Sequence, residues 1–477
     1  MNKILMTFLF LTAFFVGNSQ ISTSTAWTLQ DCIDYAMENN ITIQQSSLSL
    51  DQAENTVMQS KMNIYTPIIN ANVSHNFNFS NSIDPLTYEF IQQNTQSTQF
   101  SLSGNYSLFE GMSRIHTLKA NQEAVTATTY DIEAVKDNTR LLIANYYLQV
   151  LVANEVLQVA KEKKTLTENQ LSNTQQLVDA GVVAKGDIFN IDAQLANDEM
   201  SIVNAEINLE KALNQLKIVL QLDPYQELMI QGFSTEQAVV AEPTPPQSIT
   251  ASAYTFMPSI LSSESRLSVA EYQYKAAKGS LSPTISLNGS ISTNYFNAAR
   301  EAIGFENISF PTIGTVQGSG ESVVSNIPDG DVVFEDKKFG AQLKDNLGEN
   351  LSISMSIPIF GKWQRMIAID NAKINIENAE LTIESQKNEV SQNVFNAYTD
   401  VSASVKRHQT AEKSVTAAAE AFRYAEEKLN AGVSNSLEFE TSKNRLINAQ
   451  AELIQAKYEY YMRKMILNYY KSGELSL

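Results

Sequence analysis

Hydrophobic residues recur in steps of three and four from about residue 362 to residue 430. This spacing predicts one long helix with an apolar seam, as in coiled-coil-like assemblies. At 1.5 Å per residue the helix would be ~100 Å long. Its many Gln, Asn, Glu and Lys residues exclude a membrane span, and a second helical pattern follows a break at LNAGVSNSLEF. The seam positions are Ile369, Ala372, Ile376, Ala379, Ile383, Val390, Val394, Ala397 and Val401.

The same arrangement occurs twice along the chain. FEGMSR, from Phe109 to Arg114, opens an earlier long helical pattern and returns as FGKWQR at residues 360–365. The break at Ala180-Gly181-Val182 returns as Ala431-Gly432-Val433, and each break is followed by a shorter return helix. Internal duplication of this kind usually determines the architecture of a chain. We therefore expect two similar units built from the same elements.

Strict alternation of apolar and polar residues marks two strands in each unit. The runs lie near residues 69–79, 100–108, 285–291 and 351–359, with Phe, Leu, Ile and Tyr on one face and mainly Ser and Asn on the other. Period-two alternation predicts strands, and ~9–11 residues suffice for a tilted strand to cross a bilayer. A sheet of a soluble β-sandwich would also alternate. The export signal and the duplicated helices favour the membrane.

These patterns divide the chain into eight segments. The long inserted segment 297–348 is rich in Gly, Ser and Asp, so we expect a surface excursion. The prolines around residues 243–246 are expected to keep the connector extended. The predicted segments are a signal peptide at 1–19, N-terminal helices at 20–66, a first strand pair at 67–110, a first helical hairpin at 111–222, a connector at 223–258, a helix at 259–280, a second strand pair with a long extracellular loop at 281–360, and a second helical hairpin with the C-terminus at 361–477.

Composition narrows the class of protein. Lys3 and the apolar run ILMTFLFLTAFFV form a secretory signal, with cleavage expected near Ser19–Gln20. Cys32 is the only cysteine, so we expect a buried thiol and no disulfide or metal cluster. The net charge of -18 disfavours nucleic acid and anionic lipid as partners. The sequence has no Walker loop, nucleophile elbow or metal-ligand spacing, so we predict no enzyme, catalytic residue, metal or cofactor.

Four strands cannot close a barrel, and an open sheet edge cannot face lipid. If these strands span the membrane, several chains must each contribute four. The fold class expected from the residues is therefore mainly α with a small β part, in an obligate oligomer. The long helices, whose seams also need neighbours, would form a helical cylinder on the same barrel.

The duplicated order of these motifs resembles the TolC family of outer-membrane efflux proteins. The unequal helices around an AGV-type break, the strand pairs ending in FEG or FG, the opening WTLQDCIDYAMENN and the closing YYKSGEL carry the resemblance. It implies a homotrimer with a shared twelve-stranded outer-membrane β-barrel on a periplasmic α-helical barrel. It also implies outer-membrane lipid, a periplasmic adaptor protein and an inner-membrane pump as partners. The implied function is a passive exit duct for efflux or type I secretion, opened when the adaptor docks.

The resemblance also suggests site residues. The family's gate lies just after the helix breaks, which implies Asp187 and Glu438 as gate acids with Glu440 close by. Ordinary helix capping explains the acids equally well, with Asn435 as the N-cap for Glu438. Ser434 stands where the resemblance leads us to expect a basic residue that latches the closed tip.

The tips themselves would dock the adaptor. The resemblance implies adaptor contacts at Gly181 and Val182 in the first unit, and at Gly432 and Val433 in the second. Each glycine is also expected to end its helix in a left-handed conformation. Two other classes of protein compete with the duct: a trimeric cell-surface coiled-coil structural or adhesin protein with a β anchor, and a soluble periplasmic adaptor. Paired tip breaks argue against a stalk, and an adaptor would carry a single hairpin.

Overall fold

The computed structural model describes residues 26–83, 88, 90–232, 239–240, 242, 244–361, 363–431, 433 and 436–475. The predicted signal peptide and its cleavage point at Ser19–Gln20 lie outside these residues. The chain divides into two compact units. The first comprises the described parts of Met1–Ala53, Ala124–Arg266 and Ala379–Leu477, and the second comprises Glu54–Glu123 and Leu267–Asn378.

The fold is mostly helical. Two very long helices, α3 and α8, lie where the seams predict them, and each is followed by a shorter helix, α4 or α9. Within the described chain, no helix combines the length and the apolar character needed to cross a membrane. The helices are α1 (Leu29–Asn39), α2 (Ile41–Tyr65), α3 (Ser113–Asp179), α4 (Gly186–Leu220), α5 (Pro246–Phe256), α6 (Pro258–Gly279), α7 (Phe339–Asp345), α8 (Trp363–Asn430) and α9 (Ser436–Ser472).

Helix α1 begins at a local capping signal and buries the cysteine of its first turn. Thr28 caps α1 through a capping box with Asp31, in which each side chain accepts a hydrogen bond from the other residue's backbone N–H. Cys32, one turn further, is fully buried, and burial together with the Asp31 charge raises the pKa of its thiol to about 12. The expectation of a buried thiol is confirmed.

The seam of α8 forms part of the core of the first unit. Val390, Val394, Ala397 and Val401 are buried there, against Tyr460, Tyr461 and Leu467 of α9 and Ile249 and Ala253 of α5. The earlier seam positions, from Ile369 to Ile383, are only half-buried within a single chain. Half-buried apolar residues on a long helix leave surface available for a neighbour.

The second unit holds a four-stranded antiparallel sheet in the order β1-β2-β3-β8, so the strand pairs of the two repeats join at β2 and β3. Within the described residues, β1 and β8 are its edges. The strands are β1 (Ile68–Ile83), β2 (Phe90–Glu110), β3 (Thr284–Phe296), β4 (Arg300–Ser309), β5 (Thr312–Thr315), β6 (Ser322–Val324), β7 (Asp329–Asp336) and β8 (Gly348–Ser356).

The strand register aligns the faces predicted from alternation. Leu102 lies between Ala71 and Ile291 on the apolar face, and Ser101 lies between Asn72 and Ser292 on the polar face. On the polar face, Asn105 donates to Asn288 at 2.5 Å, and Asn288 donates to Ser354 at 3.1 Å. Apolar side chains on the other face are exposed in the single chain, among them Val73, Phe77, Phe79, Leu351 and Ile353.

Three expectations about these segments need correction. The first two strands extend beyond the alternating runs at 69–79 and 100–108, because β1 continues to Ile83 and β2 already begins at Phe90. Backbone pairing between the two strands sustains them where alternation has faded. The connector is not wholly extended, because Pro246 is the first residue of α5, a position that requires no N–H donor.

The third correction concerns the excursion at 297–348, which is largely regular structure. It contains α7 and two hairpins, β4 with β7 and β5 with β6. The β4–β7 hairpin has an exposed apolar face at Phe305, Val332 and Phe334. Glu301 pairs with Glu335, and Glu306 with Asp331, on the opposite face. The hairpin is therefore an amphipathic ribbon, which glycine-rich composition alone did not indicate.

Candidate functional site

The first helix break ends in a defined turn. Gly181 has a φ of +76°, its N–H donates to Val178 O at 2.9 Å, and the Val182 N–H donates to Leu177 O at 2.9 Å. This bonding pattern is a Schellman motif, in which a left-handed glycine satisfies the last carbonyl groups of a helix. The predicted capping role of Gly181 is confirmed. Val182 follows with 67% of its surface exposed.

The second break repeats part of this geometry. The Val433 N–H donates to Lys428 O at 3.0 Å, the same six-residue closure as at Val182, and Val433 is 77% exposed. Gly432 lies outside the described residues, as do Ser434 and Asn435. Each tip therefore presents an exposed valine immediately after its helix has been closed.

The two predicted gate acids differ in their surroundings. Asp187 lies in the first turn of α4 and is half-buried, and the described residues provide it with no ion-pair partner. Glu438 lies in the first turn of α9, where its Oε1 accepts from Lys428 Nζ at 2.9 Å. Both side chains of this pair are about half exposed. The pair crosses the break, so the charge of Glu438 is compensated within its own hairpin.

Glu440 belongs to a buried network instead of an open tip. Its Oε1 accepts from Lys443 Nζ at 2.8 Å, and the Lys443 side chain is fully buried. Lys443 also donates to Thr167 Oγ1 at 2.9 Å, and Thr167 donates to the buried Asp198. Lys163 completes the network through an ion pair with Asp198 at 3.0 Å. This network joins helices α3, α4 and α9, and so ties the first hairpin to the second.

Two atoms of the network have no partner in the part of the chain that the structure describes. They are Gln170 Nε2 and Glu440 Oε2, one donor and one acceptor, and both are buried. Gln170 Oε1 lies 3.5 Å from Lys443 Nζ. A buried charge costs several kcal/mol in free energy unless its partners are complete. We call this network of Lys443, Glu440, Thr167, Asp198 and Lys163 the tie. Its stability is therefore highly sensitive to the loss of a partner.

Sequence reasoning identified neither Lys428 nor Lys443. Lys428 could have been predicted from the sequence, because two antiparallel helices joined by a short loop bring together residues equally far from the break. Lys443 gave no such signal, since it lies 276 positions from its partner Thr167. Among the residues described, no group of three or more His, Cys, Asp or Glu side chains is placed to hold a metal ion.

Comparisons with known proteins point to one family, that of outer membrane efflux proteins. The family model described as "Outer membrane efflux protein" matches residues 32–220 and 256–465, which covers both repeats. The outer membrane protein TolC of Escherichia coli is 24% identical over 378 residues, covering 78% of this chain and 69% of TolC.

Solved structures support the same fold. The structure of CusC matches with a TM-score of 0.73 at 16% identity, covering 94% of this chain and 92% of CusC. The outer-membrane channel OprN matches with a TM-score of 0.70 at 16% identity, covering 94% and 90% of the two chains.

Proposed function

The chain belongs to the outer membrane efflux protein family, and on that premise we propose that it is the exit duct of a tripartite efflux or type I secretion system. It is a protein of the outer membrane with a periplasmic part. Three copies would build one twelve-stranded barrel on a helical barrel. Cargo would move passively through this duct, which would receive it from an inner-membrane pump through a periplasmic adaptor.

The sheet carries this proposal. Its two edge strands need partners, its apolar face is exposed, and its other face is lined by Ser and Asn across both repeats. An open edge is unfavourable in lipid, because its backbone donors and acceptors lack partners there. Pairing β1 of one copy with β8 of the next removes both edges. The apolar face would then meet lipid, and the Ser and Asn face would line a wet lumen.

The duct is tested by the oligomeric state and conductance of the full chain. We expect chemical crosslinking in detergent to yield trimers, and the purified trimers to form ion-conducting pores in planar bilayers. Monomers that do not conduct would refute the duct. Trimers that never conduct would favour the stalk-like surface protein, because a stalk has no continuous lumen.

We further propose that the tips dock the adaptor and form the gate. Val182 and Val433 are exposed apolar side chains at the ends of the two hairpins, and Gly181 and Gly432 would expose backbone beside them. Asp187 and Glu438 follow immediately as the gate carboxylates, with Glu440 at the tie behind them. Adaptor docking would loosen this region and open the pore.

Docking is tested by replacing both valines with aspartate. Val182→Asp with Val433→Asp should abolish co-purification of the adaptor after crosslinking in cells and leave the trimer intact. The matched control is Met200→Asp with Val203→Asp, on an exposed part of α4 away from the breaks. Undiminished adaptor capture by the tip variant would refute docking at these residues.

A further inference from the structure

Helices α2, α3, α6 and α8 adjoin the same end of the sheet and carry a band of positive charge there. We consider the seven residues nearest the sheet on α2, α3, α6 and α8, namely 59–65, 113–119, 273–279 and 363–369. Together they contain six lysines and arginines and no carboxylate. We call these six side chains the collar: Lys61, Arg114, Lys119, Lys275, Lys278 and Arg365.

The band is narrow. In the next seven residues of the same helices, 52–58, 120–126, 266–272 and 370–376, four carboxylates outnumber two cations. The sign of the charge therefore reverses within two helical turns, which is ~10 Å. In a chain with a net charge of -18, such a band is a local exception. The collar lies entirely in the second unit.

The collar cations are not used in ion pairs. Among the described residues, fourteen other lysine and arginine side chains form salt bridges, but none of the six collar side chains does. All four collar lysines are exposed. Arg114 donates to Ser107 O, and Lys119 and Lys275 lie 5.6 Å and 4.7 Å from the ring centre of Tyr272. Their charges therefore remain available to a partner outside the chain.

Helix electrostatics explain Lys278 in the last turn of α6, where the helix C-terminus favours a cation, but not the arginines at the starts of α3 and α8. Acidic side chains are favoured in the first turn of a helix and cations are not, because the helix N-terminus carries partial positive charge. Helices α4 and α9 follow this rule with Asp187 and Glu438. Helices α3 and α8 have no acid in the first turn and begin with Arg114 and Arg365 instead. A local rule broken in both repeats indicates another demand on the position.

The position of the collar identifies that demand. Strand β1 begins three residues after α2, and the apolar face of the sheet starts there. Tyr65 ends α2 and Trp363 begins α8, with 68% and 76% of their surfaces exposed. Exposed Tyr and Trp side chains beside an apolar band are typical of the level of lipid headgroups. The collar lies at that level, on the helical side of the sheet.

We propose that the collar binds the anionic phosphate-bearing headgroups of phospholipids in the periplasmic leaflet of the outer membrane. This inference rests on the proposed function, because the sheet must span the bilayer for the collar to reach the leaflet. The whole-chain charge argued against anionic lipid, but attraction to a surface is set by charges within about a Debye length, ~10 Å. Headgroups bound to the collar would fix the depth of the barrel in the membrane.

The test counts lipids bound to the purified full-length oligomer. The protein is held in a neutral detergent and titrated with phosphatidylglycerol or with phosphatidylcholine, and bound molecules are counted by native mass spectrometry. We expect at least tenfold tighter retention of phosphatidylglycerol, with this preference falling as salt rises. A cation near an anionic leaflet contributes roughly a fivefold factor. Replacing Lys61, Lys119, Lys275 and Lys278 with glutamine should therefore remove the preference.

A matched control removes the same charge elsewhere. Lys161, Lys211, Lys406 and Lys413 are exposed lysines of the first unit that form no salt bridge with described residues, and their replacement with glutamine should leave lipid retention unchanged. Equal retention of both lipids by the wild type would overturn the proposal. So would an unchanged preference in the collar variant, or an equal loss in the control.

A second variant separates lipid binding from assembly. Changing the four collar lysines to arginine preserves the charge and should preserve the preference. If the glutamine variant separates into single chains while the arginine variant stays assembled, the collar binds carboxylates of a neighbouring copy and the lipid assignment is wrong. Conductance in planar bilayers is measured separately. An oligomer that prefers phosphatidylglycerol but does not conduct would refute the duct and leave the collar standing.

Discussion

The two hairpin tips have similar turn geometry but different electrostatics. Both close with a hydrogen bond from an exposed valine to a carbonyl five residues earlier. In the second hairpin Lys428 holds Glu438 across the break, whereas Asp187 of the first hairpin has no ion pair with described residues. The two repeats thus share this closing hydrogen bond, whereas their ion pairing at the tip differs. If the tips form the proposed gate, we expect Asp187 to be the carboxylate more available to ions, because Lys428 compensates the charge of Glu438.

The largest effect is expected at the tie between the hairpins. Lys443→Met should leave Glu440 without its buried cation and Thr167 without the hydrogen bond from Lys443, at a cost of about 3–5 kcal/mol. Hydrogen exchange of the α3 and α9 amides around Thr167 and Lys443 should then accelerate by two orders of magnitude or more, since ~1.4 kcal/mol is a factor of ten. The exposed Lys413→Met serves as the control. Equal protection of these amides from exchange in both variants would show that Lys443 does not stabilise the contact between the hairpins.

A smaller effect is expected at the turn of the first hairpin. Gly181→Ala places a side chain at a φ of +76° with no atom within 4 Å, so its cost is backbone strain alone, ~1–2 kcal/mol. Gly186→Ala is the matched control, because Gly186 is helical with equally open space, and alanine there should be neutral or stabilising. Protease cleavage at the tip should rise only in the first variant. Equal cleavage of both would contradict the left-handed requirement.

The smallest effect on stability, and the sharpest test of the difference between the tips, concerns the acids. Asp187→Asn should reduce cation preference in planar-bilayer recordings more than Glu438→Gln, and Lys428→Gln should raise cation preference by removing the positive charge beside Glu438. Stability should change by only ~0–1 kcal/mol, because the pair is exposed. If Asp187→Asn and Glu438→Gln together leave ion selectivity unchanged, both acids are helix caps and not gate residues.

Periodic patterns explain why the main elements could be predicted. Seams such as Val390 to Val401 and alternation such as Val73 to Phe79 are local, and the register confirms the two faces of the sheet. The ends of β2 and the helix α5 were missed because pairing and a helix-initiating proline outweighed local composition. The tie at Lys443 depends on an interaction across 276 positions, which no local pattern records. The partner of Glu438 was missed because the basic residue was expected at Ser434.

The unmatched excursion at 297–348 has a consequence for rotational symmetry. In an assembly of three copies, every feature shared by the two repeats would occur six times around the axis, and the hairpin wall would be nearly sixfold. Among the described residues, the amphipathic β4–β7 ribbon is found in the second repeat alone, so it would occur three times. An insertion in one repeat alone would therefore reduce the symmetry from nearly sixfold to threefold where the ribbon lies. The ribbon would then occupy three equivalent positions instead of six.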